Sequence, residues 1–90
     1  MTGIRISLHT TQDLTPYRFN LFDNDTLVLD GIDQPEFSYL VGEDYTGQHR
    51  LELNYYHIDN EEMLSDKILV LDRNFTKPVI ADLTVSYEIF

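Results

Sequence analysis

The sequence predicts an all-β protein, an antiparallel β-sandwich or jelly roll of about seven strands in a single domain spanning residues 1–90. Three observations lead to this fold class. Apolar residues recur at every second position along most of the chain, turn-forming residues separate these alternating segments, and almost no segment has helical periodicity. Because apolar residues make up 42% of the chain, it carries enough apolar surface to form a core.

Four strands are predicted in the first half of the chain. The first, second and fourth alternate apolar with polar residues, and the third is a short apolar run. Their apolar positions are Ile4, Ile6 and Leu8; Tyr17, Phe19 and Leu21; Leu27, Val28 and Leu29; and Phe37, Tyr39 and Val41. Pro, Gly, Asp and Asn lie between them, so residues 23–26 are predicted as a turn and residues 42–47 as a hairpin connection.

The longest predicted strand covers residues 48–58. The face that we expect to point into the core carries His49, Leu51, Leu53, Tyr55 and His57. His49 and His57 are about 26 Å apart at the rise of a strand, so they cannot share a metal ion unless another element lies between them. We therefore expect histidines at the margin of the core rather than metal ligands.

Two further strands follow an acidic segment. Residues 59–66 are predicted as an acidic loop that could contain a helical turn at residues 61–64. Residues 68–71 are apolar on both faces, as expected for a strand that is covered on both sides. Alternation resumes over residues 79–89 and predicts the last strand.

Charge and composition exclude several classes of function. Sixteen Asp and Glu against six Lys and Arg give a net charge of −10, which disfavours direct binding of DNA or RNA and favours either a basic partner or mimicry of DNA. With no Cys, the chain can form neither disulfides nor thiolate zinc sites. The first residues contain no continuous apolar segment, so we expect no signal peptide, no membrane association and a cytoplasmic default.

No catalytic signature is present, so we expect no enzyme. A G-x-S-x-G nucleophile motif is absent, and none of the four glycines forms a phosphate-binding loop. The serines lie in predicted strands or in a loop, without the neighbouring His and carboxylate that nucleophilic catalysis needs.

The acidic turns are the candidate metal site, because hard cations such as calcium are held by carboxylates on loops. The candidate ligands are Asp23, Asp25, Asp59, Glu61, Glu62 and Asp66. They do not follow the EF-hand spacing, since Leu27 stands where a third ligand should be and the required Gly is missing. We expect solvated turns and no cofactor, with calcium as the lesser alternative.

Tyrosine supplies the candidate contact residues. Six of the 90 residues are Tyr, and Tyr45 and Tyr56 are predicted to project outward. An exposed Tyr offers an apolar ring and a polar tip, which suits a protein interface or stacking on a sugar. The absence of Trp weakens the sugar alternative.

The fourth and fifth predicted strands carry a resemblance to known proteins. Residues 37–41 contain F-x-Y, and residues 47–53, after a turn, read G-x-H-x-L-x-L. This pair resembles a strand pair of jelly-roll carbohydrate-binding modules. It is also similar to small jelly-roll proteins of marine tailed phages, in which an acidic loop and an apolar strand follow, over about forty of the 90 residues. Calcium-dependent modules of this type hold D-R-N in the loop, whereas here residues 72–74 follow the apolar strand.

The pattern and the resemblance together lead us to expect a non-enzymatic structural or interaction module. The setting implied is the virion of a tailed phage, as a capsid decoration protein or an accessory head or tail protein. Expected partners are a capsid or tail protein, further copies of this chain, or both, because strand edges can pair across subunit boundaries. The alternatives are a calcium-assisted carbohydrate-binding module and an acidic DNA-mimic inhibitor.

Overall fold

The computed structural model describes residues 2–42, 48–71, 80 and 82–90, and these residues form eight strands and no helix. They are β1 (Thr2–His9), β2 (Tyr17–Asp23), β3 (Thr26–Ile32), β4 (Glu36–Gly42), β5 (Leu51–His57), β6 (Asn60–Met63), β7 (Ile68–Leu69) and β8 (Thr84–Ile89). The predicted all-β, sandwich-like class is confirmed. None of the described residues belongs to a helix long and apolar enough to cross a membrane.

Two antiparallel sheets make up the fold. The three-stranded sheet has the order β4-β1-β8. The five-stranded sheet has the order β3-β2-β5-β6, with β7 pairing with β5 as well. Strands β2 and β3 form a hairpin in one sheet while β1 and β4, which flank them in sequence, pair in the other. The chain therefore crosses from one sheet to the other before and after this hairpin.

The apolar alternation explains which strands are central. Ile4, Ile6 and Leu8 of β1 are all buried, and β1 lies between β4 and β8. Likewise Leu21 of β2 lies directly opposite Leu53 of β5, and both are fully buried in the five-stranded sheet. Burial of these side chains is the main stabilising contribution, at roughly 25 cal/mol for each Å² of apolar surface removed from water.

The predicted turn at residues 23–26 is a two-residue hairpin connection between β2 and β3. Asn24 and Asp25 have φ angles of 50° and 68°, the left-handed pair of a type I′ turn. Asn and Asp tolerate this conformation better than other residues with a side chain. The turn sets the register in which Asp23 pairs with Thr26.

A bulge in β3 explains why Asn20 is buried on the sheet face that points away from the core. The pairing of β2 with β3 shifts between Phe19 and Leu21, and Gly31 there has a φ of 65°, which favours glycine. The Asn20 side-chain oxygen accepts a hydrogen bond of 3.1 Å from the Gly31 N–H, and its amide donates to the Asn54 side chain at 3.1 Å. Sequence alternation placed Asn20 and Asn54 on a polar face, but the structure covers them both.

The acidic segment predicted as a loop is wrong in part, because residues 60–63 form β6. Met63 pairs with Tyr56 and Asn60 with His57, so the chain returns along β5 directly after it. Between β6 and β7 the Ser65 hydroxyl accepts a hydrogen bond of 3.0 Å from the Tyr55 N–H. The Ser65 hydroxyl thus gives the Tyr55 N–H a hydrogen-bond partner between β6 and β7. The helical turn predicted at residues 61–64 is wrong, because residues 61–63 belong to β6.

Other predicted boundaries shift by a few residues. Only Ile68 and Leu69 of the apolar run 68–71 are in a strand, and Leu71 is exposed. The last strand, predicted over residues 79–89, is Thr84–Ile89 among the described residues, and residues 80, 82 and 83 lie outside it. Residues 43–47 of the predicted hairpin connection, together with residues 72–79 and 81, lie outside the described residues.

Tyr55 is buried in the core with an unusual hydroxyl. Its ring packs edge-on against Tyr17 and tilts against Phe19, at centroid separations of 6.2 and 5.4 Å. Among the described residues, its hydroxyl has no hydrogen-bond partner. Burial, with a smaller contribution from Tyr17, raises the pKa of Tyr55 to about 12.

Substitution of Tyr55 by Phe should therefore raise the free energy of unfolding by about 1 kcal/mol at neutral pH, because an unpaired buried hydroxyl is removed. Since the folded-state pKa lies above the ordinary tyrosine value of 10.0, the wild-type protein should also lose stability as pH rises from 10 toward 12, and Tyr55→Phe should lose less. Urea denaturation at pH 7 and pH 11 measures both effects.

Tyr17→Phe is the matched control, since Tyr17 is also buried but accepts a hydrogen bond of 3.1 Å from the Gln12 amide. That variant should lose about 1 kcal/mol. Equal losses in the two variants at pH 7 would contradict the assignment of Tyr55 as the unpaired hydroxyl.

Candidate functional site

A polar cluster joins the two sheets at the end of β2. Asp23 continues the inward alternation of that strand, so its carboxylate lies at the margin of the core and is nearly buried. The Tyr39 hydroxyl, from β4 of the other sheet, donates to Asp23 Oδ2 at 2.9 Å. His49 Nδ1 lies 2.7 Å from Oδ2 and 2.8 Å from Oδ1. Burial raises the pKa of the Tyr39 phenol, and the hydrogen bond to Asp23 and its charge raise it further.

The neighbouring turn holds this cluster in place. The Asn24 side chain donates to the Gln48 carbonyl at 3.0 Å and accepts from the Arg50 N–H at 2.8 Å. The Asn24 N–H also donates to the Arg50 carbonyl at 3.0 Å. The segment that carries His49 is therefore fixed to the β2–β3 turn from both sides, which positions the imidazole beside Asp23.

The described contacts of this cluster connect the two sheets. A carboxylate that orients an imidazole is one part of a hydrolytic triad, and the nucleophile of such a triad must lie on the imidazole. Here the hydroxyl brought by Tyr39 donates to the carboxylate instead. Asp23, Tyr39 and His49 thus act as a latch between the sheets, and we use the name Asp23 latch for these three residues.

The candidate calcium ligands do not come together. Asp23 is engaged in the latch, and Asp25 is an exposed residue that pairs with Lys67 at 3.1 Å. Asp59 is exposed beside His57, and Glu62 and Asp66 are exposed as well. Across residues 2–42, 48–71, 80 and 82–90, no three His, Asp or Glu side chains are grouped so that they could hold a metal ion. The side chain of Glu61 lies outside what the structure describes.

Of the two candidate contact tyrosines, one can be located. Tyr56 is half-buried on the outward face of β5, and its hydroxyl lies 3.9 Å from the position that a Cβ on Gly31 would occupy. The bulge of β3 therefore approaches its polar tip, so the ring is not the freely exposed platform that the sequence predicted. Tyr45 lies outside the described residues.

A cleft of about 530 Å³ opens at the opposite end of the molecule from the latch, between the β1–β2 and β3–β4 connections. Its charged lining is Asp13, Arg18 and Asp33. Arg18 donates to the Thr15 and Tyr17 carbonyls at 2.8 and 2.9 Å, and Asp13 accepts from the Thr15 N–H and hydroxyl. Both hydrogen bonds lower the pKa of Asp13, and the one from the Thr15 hydroxyl has the larger effect. Both side chains thus support the β1–β2 connection.

The outward face of the three-stranded sheet is a third candidate, which we name the neutral face. Strand register aligns its side chains in four rows across β4, β1 and β8. From the latch end these are Leu40, Gly3 and Phe90; Ser38, Arg5 and Glu88; Glu36, Ser7 and Ser86; and His9 with Thr84.

The first row of the neutral face is apolar and exposed. Leu40 is 56% exposed and Phe90 53% exposed, and both lie over Gly3. A Cβ at Gly3 would lie 2.6 Å from the Phe90 ring and 3.0 Å from the Leu40 side chain, so only glycine lets the two approach each other across β1. The backbones of Gly3 and Phe90 exchange two hydrogen bonds of 2.9 Å, which holds the ring there.

The charge of this face differs sharply from that of the whole chain. Its one cation, Arg5, lies 3.4 Å from Glu36 and 4.0 Å from Glu88, and its guanidinium lies 5.5 Å from the centre of the Phe90 ring. One cation and two carboxylates give a net charge of −1, against −10 for the chain. Most of the remaining positions are Gly, Ser or Thr, so the face is nearly neutral.

Sequence reasoning missed the neutral face, although a signal was present. In an acidic chain, the outward positions of the first and last predicted strands are Arg5, Ser7, Ser86 and Glu88, with little net charge. The pattern becomes a surface only when β1 is known to lie between β4 and β8, and pairing between strands so distant in sequence is not encoded in local periodicity.

No protein-family model, curated protein or solved structure matches this chain.

Proposed function

We propose that the protein is a non-enzymatic structural or interaction module that binds another protein surface through the neutral face. The virion of a tailed phage, where the chain would act as a capsid decoration protein or an accessory head or tail protein, is the setting that the sequence resemblance favours. The observation that carries the proposal is the exposed pair Leu40 and Phe90, held over Gly3 on a sheet face with a net charge of −1.

The physical case rests on desolvation. Removing apolar side chains such as Leu40 and Phe90 from water when a partner binds lowers the free energy, and short Ser side chains let a partner approach the sheet closely. Arg5 is already paired with Glu36 and Glu88, so its burial does not leave an isolated charge. The rest of the surface, which carries most of the −10 charge, is costly to dehydrate.

Strand topology adds a second route to the same function. In the described part of the chain, β4 and β8 are the edges of the three-stranded sheet. An edge strand presents unpaired backbone groups to which another chain can add a strand. A partner docked on the neutral face therefore also lies beside two edges that can extend the contact.

We further propose that the fold is a jelly roll. Its support is the nested pairing of β1 with β4 around the β2–β3 hairpin, with the two pairs in different sheets. Jelly rolls are built by folding nested antiparallel pairs over in this way.

The two alternative functions gain no support from the described residues. The carboxylates considered for calcium are dispersed, and Asp23 is held by Tyr39 and His49. A DNA mimic needs carboxylates spaced along one face like phosphates, whereas those of the neutral face number two beside one Arg.

Substitution of Leu40 by Asp should abolish partner binding and leave the fold intact. Asp places a charge in the apolar row, where burial is costly. Leu27→Asp is the matched control, because Leu27 is a Leu of similar exposure, 48% against 56%, on an edge strand of the other sheet. Both variants should keep the wild-type far-UV spectrum, with a similar modest loss of melting temperature.

The assay is co-expression of each variant with capsid and tail proteins of tailed phages, followed by size exclusion with light scattering. Wild type and Leu27→Asp should form the complex, and Leu40→Asp should lose at least tenfold in affinity, about 1.4 kcal/mol. Equal binding by all three proteins would show that the neutral face is not the docking surface.

A further inference from the structure

We infer that the occupant of the neutral face is the neutral face of a second copy of this chain, related by a twofold axis that runs parallel to β1. This inference rests on the proposed function and names its partner. It follows from the order of the rows, from the charge of the face and from its size.

The rows determine which symmetry suits the face. A twofold axis parallel to β1 exchanges the flanking strands, so β4 of one copy lies over β8 of the other and each row meets itself. Leu40 then packs on Phe90 of the second copy, and this contact occurs twice. An axis across the strands at Arg5 would instead bring Leu40 against Glu36 of the second copy, which places an apolar side chain against a carboxylate.

The second row meets itself without leaving an unpaired charge. The two Arg5 side chains approach each other near the axis, but each keeps Glu36 and Glu88 of its own copy within 4.0 Å. The third row brings the two Ser7 side chains together, with Glu36 opposite Ser86 of the second copy. No carboxylate directly faces another carboxylate in this arrangement.

Charge explains why two acidic chains would meet here. Two copies that each carry −10 repel one another, and the neutral face, with a net charge of −1, contributes little to this repulsion. Added salt screens the repulsion between the rest of the two surfaces. Self-association should therefore strengthen as salt is raised, whereas docking of a basic partner on an acidic chain should weaken.

The size of the face sets the expected strength. Six residue steps along β1 and the width of three strands cover roughly 20 by 14 Å, about 280 Å². A stable interface buries about 800 Å² on each partner, so this contact alone should give a weak, reversible dimer. Weak contacts of this kind suffice where many copies are arrayed on one surface, because linkage raises their effective concentration.

Covalent trapping is the direct test, and the absence of Cys from the chain makes single-cysteine variants clean reporters. Facing sheets lie about 10 Å apart, which exceeds the Cα separation of a disulfide, so a short bis-maleimide is the suitable cross-linker. Ser7→Cys lies on the proposed axis and should give a covalent dimer. Ser86→Cys, one strand away on the same row, should not, because its two copies lie on opposite sides of the axis.

The outcomes separate the inference from the proposed function. The inference is supported if Ser7→Cys cross-links and Ser86→Cys does not. Cross-linking of Ser7→Cys should also increase with salt and disappear when Leu40→Asp is introduced into the same chain. Cross-linking of both cysteine variants means a different axis and overturns it. If neither variant cross-links while Leu40→Asp still loses a protein partner, the inference fails and the proposed function stands. If Leu40→Asp changes no association at all, both fail.

Discussion

Replacing Asp23 with Ala will lower the free energy of unfolding by about 3 kcal/mol, because it leaves the Tyr39 hydroxyl and His49 Nδ1 at the core margin without the carboxylate that both contact. The latch is a contact between the two sheets, so its loss also weakens their docking. Urea denaturation followed by tyrosine fluorescence measures the change.

Asp25→Asn is the control for this prediction, since Asp25 lies in the same turn but is 81% exposed and pairs only with Lys67 in the described contacts, and Asn tolerates the left-handed conformation of this position. An exposed ion pair contributes little, so the loss should stay below about 1 kcal/mol. Were Asp23 and Asp25 both calcium ligands, calcium would stabilise the wild type and the two variants would lose that gain alike. We expect calcium to leave the melting temperature of all three proteins unchanged.

Replacing Asn20 with Ala will lower the free energy of unfolding by about 2 kcal/mol. The substitution leaves the Gly31 N–H and the Asn54 side chain without the hydrogen bonds that Asn20 makes in a covered part of the sheet. Asn54→Ala should cost less, because Gly31 keeps its acceptor.

A double-mutant cycle between Asn20 and Asn54 checks this assignment. The two residues are in contact, so the loss in the double variant should be smaller than the sum of the two single losses. A loss below about 0.5 kcal/mol for Asn20→Ala would mean that the bulge does not depend on this side chain, and strictly additive losses would mean that Asn20 and Asn54 do not stabilise each other.

The three residues of the Asp23 latch can be identified in the sequence, but their contact with one another cannot be predicted from it. Asp23 follows Tyr17, Phe19 and Leu21 at the same two-residue spacing, and that spacing alone places it on the inward face. Because its neighbours are acidic, Asp23 was instead predicted to lie in a solvated turn. Period-two alternation decides a side chain's face more reliably than local composition does, even when the last residue of the series is charged.

The elements predicted well are those whose pattern is local. The alternation of β1 and the left-handed turn at Asn24 and Asp25 depend on neighbouring residues, and the structure has both. Strand β6 was missed because it is short and carries acidic residues, and its pairing with β5 overrides the low strand propensity of that segment. Tertiary pairing is decided by contacts between residues far apart in sequence.

The candidate surface depended most on such long-range pairing. Gly3, Leu40 and Phe90 are separated by dozens of residues, and only the order β4-β1-β8 makes them one row. A glycine inside an alternating strand signals close approach of other groups, which is the one local indication that something packs there. What covers it could not be read from the sequence.

Sedimentation equilibrium of the wild type and Leu40→Asp over a wide range of protein concentration, with calcium and with chelator, tests the central claim most directly. The claim is that the neutral face associates with the neutral face of a second copy of this chain. The wild-type mass should rise with concentration from 10.6 kDa toward twice that value, independently of calcium, while Leu40→Asp stays at 10.6 kDa. A wild-type mass that stays at 10.6 kDa at every concentration, or one that rises equally in Leu40→Asp, would contradict it.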